Sequence, residues 1–281
     1  MPEQAYTFGN SAPLVGIYTN TTEDTTQNNA PTVLLLNSGL LHRSGPFRLH
    51  VDLARKLSAF GFPVFRFDLS GIGDSGKHHD SRPREEQILS DIKQAMDFLS
   101  ARKGAKNFVA MGLCTGADNA HKISVRDARI CGAVFLDGYC YPSTGYYLRL
   151  YGPKLLNPAV WWRAVKRTVP KPMPQNDELF ETNDQREDNY FWKLPLKHKT
   201  KSELKTLVNR SVNLLYIYTG SNDFVNYKNQ LAASMKSIKF GNQLQEEYLK
   251  DAEHTYPLIA DREQMIDIVC DWMRAKYSLV L

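Results

Sequence analysis

Along the chain, short apolar runs alternate with stretches whose apolar residues recur at helical spacing, and the alternation begins at Thr32. The runs "TVLLLN" (32–37), "PVFRFDL" (63–69), "NFVAMGL" (107–113), "ICGAVFLD" (130–137), "VNLLYIYT" (212–219) and "LQEEYLK" (244–250) have the length and content of strands. Between them, "PFRLHVDLARKLSAFG" repeats apolar residues at Phe47, Val51, Ala54 and Leu57 and stops at a glycine. "PREEQILSDIKQAMDFLSARKG" opens on Pro83 and acids and closes on basic residues and Gly104, the polarity that suits a helix dipole. Strand and helix patterns in this order predict a mostly parallel sheet flanked by helices. Upstream, "AYTFGNSAPLVGIYTN" reads as a hairpin and "TNTTEDTTQNNAP" as a polar loop.

The alternation breaks between 139 and 210, where Tyr, Trp and Pro accumulate in "YCYPSTGYYLRLYGP", "NPAVWWRAVKR", "VPKPMPQND" and "NYFWKLPLKHK". The 281 residues suit one large α/β domain carrying an insertion. Residues 1–138 and 211–281 are therefore read as the core and 139–210 as an inserted cap. Aromatic clusters need something to cover or bind, so Tyr146, Tyr147, Trp161, Trp162, Phe191 and Trp192 are read as cap residues facing substrate.

Composition narrows the classes. Hydrophobic residues at 42% and charged residues at 23% describe an ordinary globular chain, and no run approaches the roughly 20 apolar residues of a membrane-crossing helix. The net charge of +5 is scattered, without a basic helix, which argues against nucleic acid as partner. The start "MPEQAYTFGN" lacks a basic segment followed by an apolar run, so a cytoplasmic location is expected. The four cysteines, Cys114, Cys131, Cys140 and Cys270, form no C-x-x-C pair, and neither a zinc site nor a redox motif is indicated. Cys131 and Cys270 lie in apolar runs, as inert core thiols do.

Cys114 differs from them. In "VAMGLCTGADNA" it follows an apolar run, precedes a stretch able to form a helix, and is flanked by Gly112 and Gly116. A nucleophile on a sharp strand-to-helix turn needs small residues at those two positions, and the helix start supplies free N–H groups and a positive dipole end. Two other motifs carry less. "GIGDSG" (71–76) satisfies G-x-G-x-x-G, but "KHHDSRP" follows it where a dinucleotide site requires a helix. His78 and His79 are adjacent and lack a third ligand at metal spacing. No metal or cofactor is expected.

With "RFDLSGIGDSG", "LLLNSGLLHRSGPFR", "GLCTGADNA" and "LDGYCYP" in place, the chain resembles the α/β-hydrolase superfamily over nearly its full length, in a cysteine-nucleophile variant. It looks similar to bacterial hydrolases of the serine-aminopeptidase and exosortase-associated groups. The resemblance implies an α/β-hydrolase fold and a nucleophile, acid, histidine order. Cys114, Asp223 in "YIYTGSNDFV" and His254 in "YLKDAEHTYP" fill that order, and Asp137 in "FLDGY" occupies a second strand end from which members supply the acid. Asn37-Ser38 replaces the usual His-Gly pair of the oxyanion loop; by register the oxyanion donors are the N–H groups of Gly39 or Leu40 together with Thr115. His42 and Arg43 stand just beyond, as candidates to meet a substrate carboxylate or phosphate or as a plain surface turn.

A triad of this kind implies an acyl-cysteine intermediate. A thiolate leaves a tetrahedral adduct more readily than an amine or alkoxide, so activated donors fit better than peptides: an acyl-CoA, an acyl carrier protein or an activated ester. Water as acceptor makes a thioesterase or esterase. An amine or alcohol makes an acyltransferase or cyclase, and a silent hydrolase-fold binding protein is the reading from a different class.

Overall fold

The computed structural model describes residues 3–21, 30–155 and 194–277. Eight strands form one sheet in the order β1-β2-β4-β3-β5-β6-β7-β8. They are β1 (Glu3–Phe8), β2 (Leu14–Thr19), β3 (Thr32–Leu36), β4 (Val64–Phe67), β5 (Phe108–Leu113), β6 (Ile130–Leu136), β7 (Asn213–Thr219) and β8 (Leu244–Leu249). The β1-β2 hairpin and its pairing with β4 are antiparallel; every pair from β4 to β8 is parallel. All six apolar runs from 32 onward are therefore strands. The loop at 22–29 lies outside the described residues.

Parallel strands covered on both faces need apolar residues at successive positions, and the packing sorts them by alternation. Leu34 and Leu36, Phe108 and Ala110, and Ala133 and Phe135 join one core; Val33 and Leu35, Val109 and Met111, and Val134 and Leu136 join the other. Helices α1 (Leu49–Ala59) and α7 (Ile259–Lys276) cover the second face through Leu53, Leu57, Met265 and Trp272. Helices α2 (Arg84–Lys103) and α3 (Thr115–Arg126) cover the first. Gly104 closes α2 in the left-handed conformation at φ 68°, as a helix end of this type requires. Phe47 falls outside the predicted helical pattern: it sits at φ 47° in a short 3-10 turn (Pro46–Arg48) and is exposed.

Three further helices are α4 (Thr144–Leu155), α5 (Lys197–Asn209) and α6 (Gln230–Ser234). The span assigned to the cap is thus heterogeneous. Helix α5 buries Thr200, Leu204 and Leu207 against the first core, next to α3, and leads into β7. It is a crossover helix of the sheet, so the core layer resumes before 210. Residues 156–193, with Trp161, Trp162, Phe191 and Trp192, lie outside the described residues.

Candidate active site

Cys114 stands at the end of central strand β5, where α3 begins, at φ 57° and ψ −121°. This backbone conformation is unfavourable for a residue with a Cβ and is held only by close packing around it. The flanking glycines are what allow that packing. A Cβ on Gly112 would lie 2.2 Å from the Gly116 carbonyl carbon, and one on Gly116 would lie 2.7 Å from the Asn37 carbonyl oxygen. The helix thus crosses the strand and the neighbouring loop at backbone contact distance.

His254 lies in the turn after β8, with Nδ1 2.7 Å from Asp137 Oδ2. Its second partner is the Cys114 side chain, and these two neighbours outweigh burial and raise its pKa from 6.5 to about 10. The Asp137 hydrogen bond is the largest cause and the Cys114 interaction the next. The shift favours the imidazolium over the neutral ring.

The acid that meets His254 is Asp137, not Asp223. Asp137 follows β6 at φ 51° and is buried. Its carboxylate accepts the Thr219 N–H at 2.8 Å and the Thr219 hydroxyl at 2.7 Å from the end of the adjacent strand β7. Three donors fix it between two strand ends. Asp223 lies four residues past β7, in a turn whose backbone binds α4: its carbonyl accepts the Tyr146 hydroxyl at 2.8 Å. The signal for Asp137 was its own strand end, "FLDGY", one strand nearer the nucleophile.

On the oxyanion side, Gly39 takes φ 56° and donates its N–H to Thr115 Oγ1 at 2.7 Å. The Gly39 donor is thus engaged by a side chain and not open, as the register suggested. Leu40 is 70% exposed, and no acceptor among the described residues takes its N–H. Thr115 opens α3, so its N–H has no place in the helical ladder.

Arg43 is engaged within the fold. It is buried, its guanidinium pairs with Asp68 and, at 2.8 Å, with Asp74, and its N–H bonds Asp68 Oδ1 at 2.6 Å. Asn37, the replacement for the usual histidine, ties the same hub together: its amide donates to Asp68 Oδ1 at 3.1 Å and Leu41 O at 2.8 Å, and its oxygen accepts Leu69 N–H at 2.8 Å. Sequence reasoning missed this network, which joins Asn37 and Arg43 of the loop after β3 to Asp68 and Asp74 of the loop after β4. His42 is half-exposed at its rim, with Nε2 3.6 Å from Asp74. His42, Asp68 and Asp74 bring ligand atoms within 4.8 Å of one another, but the Arg43 guanidinium already supplies the cation for both carboxylates. Gly73, at φ 54°, would place a Cβ 2.3 Å from Asp68 Oδ2, so the "GIGDSG" glycines serve this turn. His78 is buried against Asp91 at 2.7 Å.

Of the described cap residues, Tyr146 and Tyr147 pack edge to face at 5.4 Å, and Tyr147 stacks on Tyr151 at 6.3 Å. A cavity of about 1040 Å³ opens between α4, the start of α5 and the end of α6, lined by Tyr147, Leu148, Tyr151, Leu196, Lys197 and Lys236. Neither Cys114, His254 nor Asp137 lines it. The other cysteines are set against ionisation by burial, which raises Cys131 and pushes Cys140 and Cys270 up to about 12.

Residues 28–207 match the model of the serine aminopeptidase, S33 family (Hydrolase_4). The chain belongs to this family. No curated protein sequence matches the chain significantly. Among solved structures, it is similar to a proline iminopeptidase of Mycobacterium smegmatis, at 11% identity and TM-score 0.59, over 97% of this chain and 98% of that one. It is similar to a carboxylesterase of Bacillus subtilis, at 16% identity and TM-score 0.55, over 96% and 93%. It is similar to an esterase domain of a Rhodothermus marinus protein, at 15% identity and TM-score 0.57, over 98% and 99%. The fold is that of an α/β-hydrolase, and family and fold together make the protein an enzyme of hydrolase type. The family is named for serine enzymes, and this chain carries Cys114 at the elbow. No helix of the described residues is long and apolar enough to cross a membrane.

Proposed function

We propose that this protein is an acyl-group hydrolase, a thioesterase or esterase, that works through an acyl-Cys114 intermediate with His254 as acid-base and Asp137 as the orienting acid. The observation that carries the reading is the position of His254, bonded through Nδ1 to Asp137 at 2.7 Å while it also interacts with the Cys114 side chain. The sulfur attacks the acyl carbon, and the carbonyl electron pair moves to oxygen beside the start of α3. When that pair returns, the leaving group departs with the proton from His254. Water, deprotonated by the now neutral His254, then releases the acyl group and regenerates the thiol and imidazole pair.

The family's peptidase name does not carry over to this substrate class. A sulfur nucleophile is expelled from an amide adduct in preference to an unprotonated amine, so an amide depends on prior proton delivery, whereas a thioester or activated ester has a leaving group as good as the sulfur itself. The substrate is therefore read as an acyl thioester, on CoA or a carrier protein, or an activated ester, with the Tyr146 and Tyr147 side of the molecule covering its acyl chain. Intact-mass measurement after incubation with a panel of acyl thioesters and activated esters tests this. A transient acyl mass on Cys114 that decays to free acid is the expected result. Turnover without an adduct, or an adduct elsewhere, overturns it. Adding a competing amine separates hydrolysis from transfer: hydrolysis keeps the acid as the main product.

A further inference from the structure

A backbone donor meant for an oxyanion stands roughly 2.7–3.1 Å from the place the charged oxygen will take. At Gly39 that place is held by Thr115 Oγ1, 2.7 Å from the N–H. A hydroxyl has two lone pairs and one proton. Gly39 occupies a lone pair, and no acceptor among the described residues takes the proton. Thr115 is the residue next to Cys114 and the first of α3, so this unused donor belongs to the same turn as the nucleophile, together with the Thr115 N–H.

We propose that the Thr115 hydroxyl is itself an oxyanion donor, relaying the Gly39 N–H to the acyl oxygen; the inference rests on the acyl-Cys114 reading. As the C–S bond forms, the carbonyl π pair moves onto oxygen, and that oxygen accepts hydrogen bonds from Thr115 Oγ–H and Thr115 N–H. The hydroxyl keeps its proton. When the pair returns, the bond to the leaving group breaks and the leaving group takes the proton from His254. The bond from Gly39 polarises the hydroxyl and strengthens its donation, which gives a threonine directly after the nucleophile a chemical task and fixes its rotamer before substrate arrives. The opposite arrangement, a hydroxyl that blocks Gly39 and must swing away, predicts that removing it speeds the reaction.

Two reactions of the same sulfur test this. Alkylation by iodoacetamide needs a thiolate but forms no oxyanion, whereas acylation by p-nitrophenyl acetate forms one. Thr115→Val should slow the acylation burst about 100-fold, the effect of losing one oxyanion donor, and leave alkylation of Cys114 within about twofold. Thr115→Ser, which keeps the hydroxyl, should acylate within about threefold of the wild type. Undiminished or faster acylation by Thr115→Val overturns the relay while leaving acyl-Cys114 standing. So does a parallel fall in alkylation and acylation, which would place the residue in the structure of the elbow and not on the oxyanion. A wild type that alkylates at Cys114 but forms no acyl adduct overturns the acyl reading, and the relay with it.

Discussion

Replacing Asp137 by Asn tests the acid most directly, because the substitution keeps the shape and changes one charge and one donor pattern. The carboxylate accepts from His254 Nδ1 at 2.7 Å and from Thr219 N–H and hydroxyl at 2.8 and 2.7 Å. An asparagine keeps its oxygen on the Thr219 N–H and turns its amide toward His254. Nδ1 must then accept, which puts the imidazole proton on Nε2 and stabilises the neutral ring. The charge interaction is worth about 4 kcal/mol at 4 Å with an effective dielectric near 20. The His254 side chain is 40% exposed, so screening brings this to about 2 kcal/mol, or roughly 30-fold at 1.4 kcal/mol per decade. The wrong tautomer adds to it; it costs serine triads about 10⁴-fold, and less where the nucleophile is a thiol that ionises more readily. Acylation by p-nitrophenyl acetate should therefore fall about 10²- to 10³-fold.

The companion variant is Asp223→Asn. Among the described residues Asp223 bonds through its backbone carbonyl, to Tyr146, so acylation should stay within about threefold of the wild type. Stopped-flow burst kinetics measure both variants, with circular dichroism to check folding. A severe loss in Asp223→Asn with Asp137→Asn nearly unaffected would refute the reasoning and return the acid to the strand-end turn after β7.

Iodoacetamide should label Cys114 first at neutral pH, since burial raises Cys131, Cys140 and Cys270 against ionisation; peptide mapping that finds another cysteine first contradicts it. His254 lies above its ordinary 6.5, at about 10, so its pairing stabilises the fold fully below 6.5 and is lost as the pH rises toward 10. Denaturant midpoints of the wild type should accordingly drop over that window more than those of Asp137→Asn, and equal slopes would count against the ion pair. Arg43→Met leaves Asp68 buried without its cation, which should cost about 3 kcal/mol in urea unfolding; unchanged stability with a raised KM would restore Arg43 as a substrate group. Gly116→Ala forces a Cβ to within 2.7 Å of the Asn37 carbonyl oxygen and should cost about 1–3 kcal/mol and most of the activity, read by the same unfolding and burst assays.

The sheet was legible because its parallel strands are buried on both faces. Apolar residues then stand at every position, and "TVLLLN" and "NFVAMGL" announce β3 and β5 without any alternation. The elbow was legible because sterics at Gly112 and Gly116 admit no side chain. The acid was not resolved, since Asp137 and Asp223 both follow strands, and what separates them is the pairing of β6 with β7. That pairing brings the Thr219 N–H and hydroxyl to Asp137. The pairing of Arg43 was not legible because its partner Asp68 is 25 residues away along the chain and meets it only where β3 and β4 end side by side. Helix α5 was hidden by its lysines: "LKHKTKSELKTLVN" reads as polar surface until Thr200, Leu204 and Leu207 are seen on one buried stripe.

The same geometry bears on why a cysteine stands at this elbow. A serine there depends on a neutral histidine that takes a proton during attack, and an imidazole that Asp137 pulls toward the cation is less suited to that step. With sulfur, a thiol that ionises more readily than a hydroxyl gives its proton to His254 more easily, and the imidazolium then serves as the acid for the leaving group. The strong hold of Asp137 on His254, reinforced by Thr219, therefore suits a thiolate and works against an alkoxide. It follows that Cys114→Ser should lose acylation far more than the difference in intrinsic nucleophilicity requires, and that Asp137→Asn, which leaves a tautomer unable to take the serine proton, should reduce the serine variant by a larger factor than it reduces the wild type. Double-mutant burst rates read that coupling. Equal factors in the two backgrounds would mean that proton transfer to His254 is not what matches this site to sulfur.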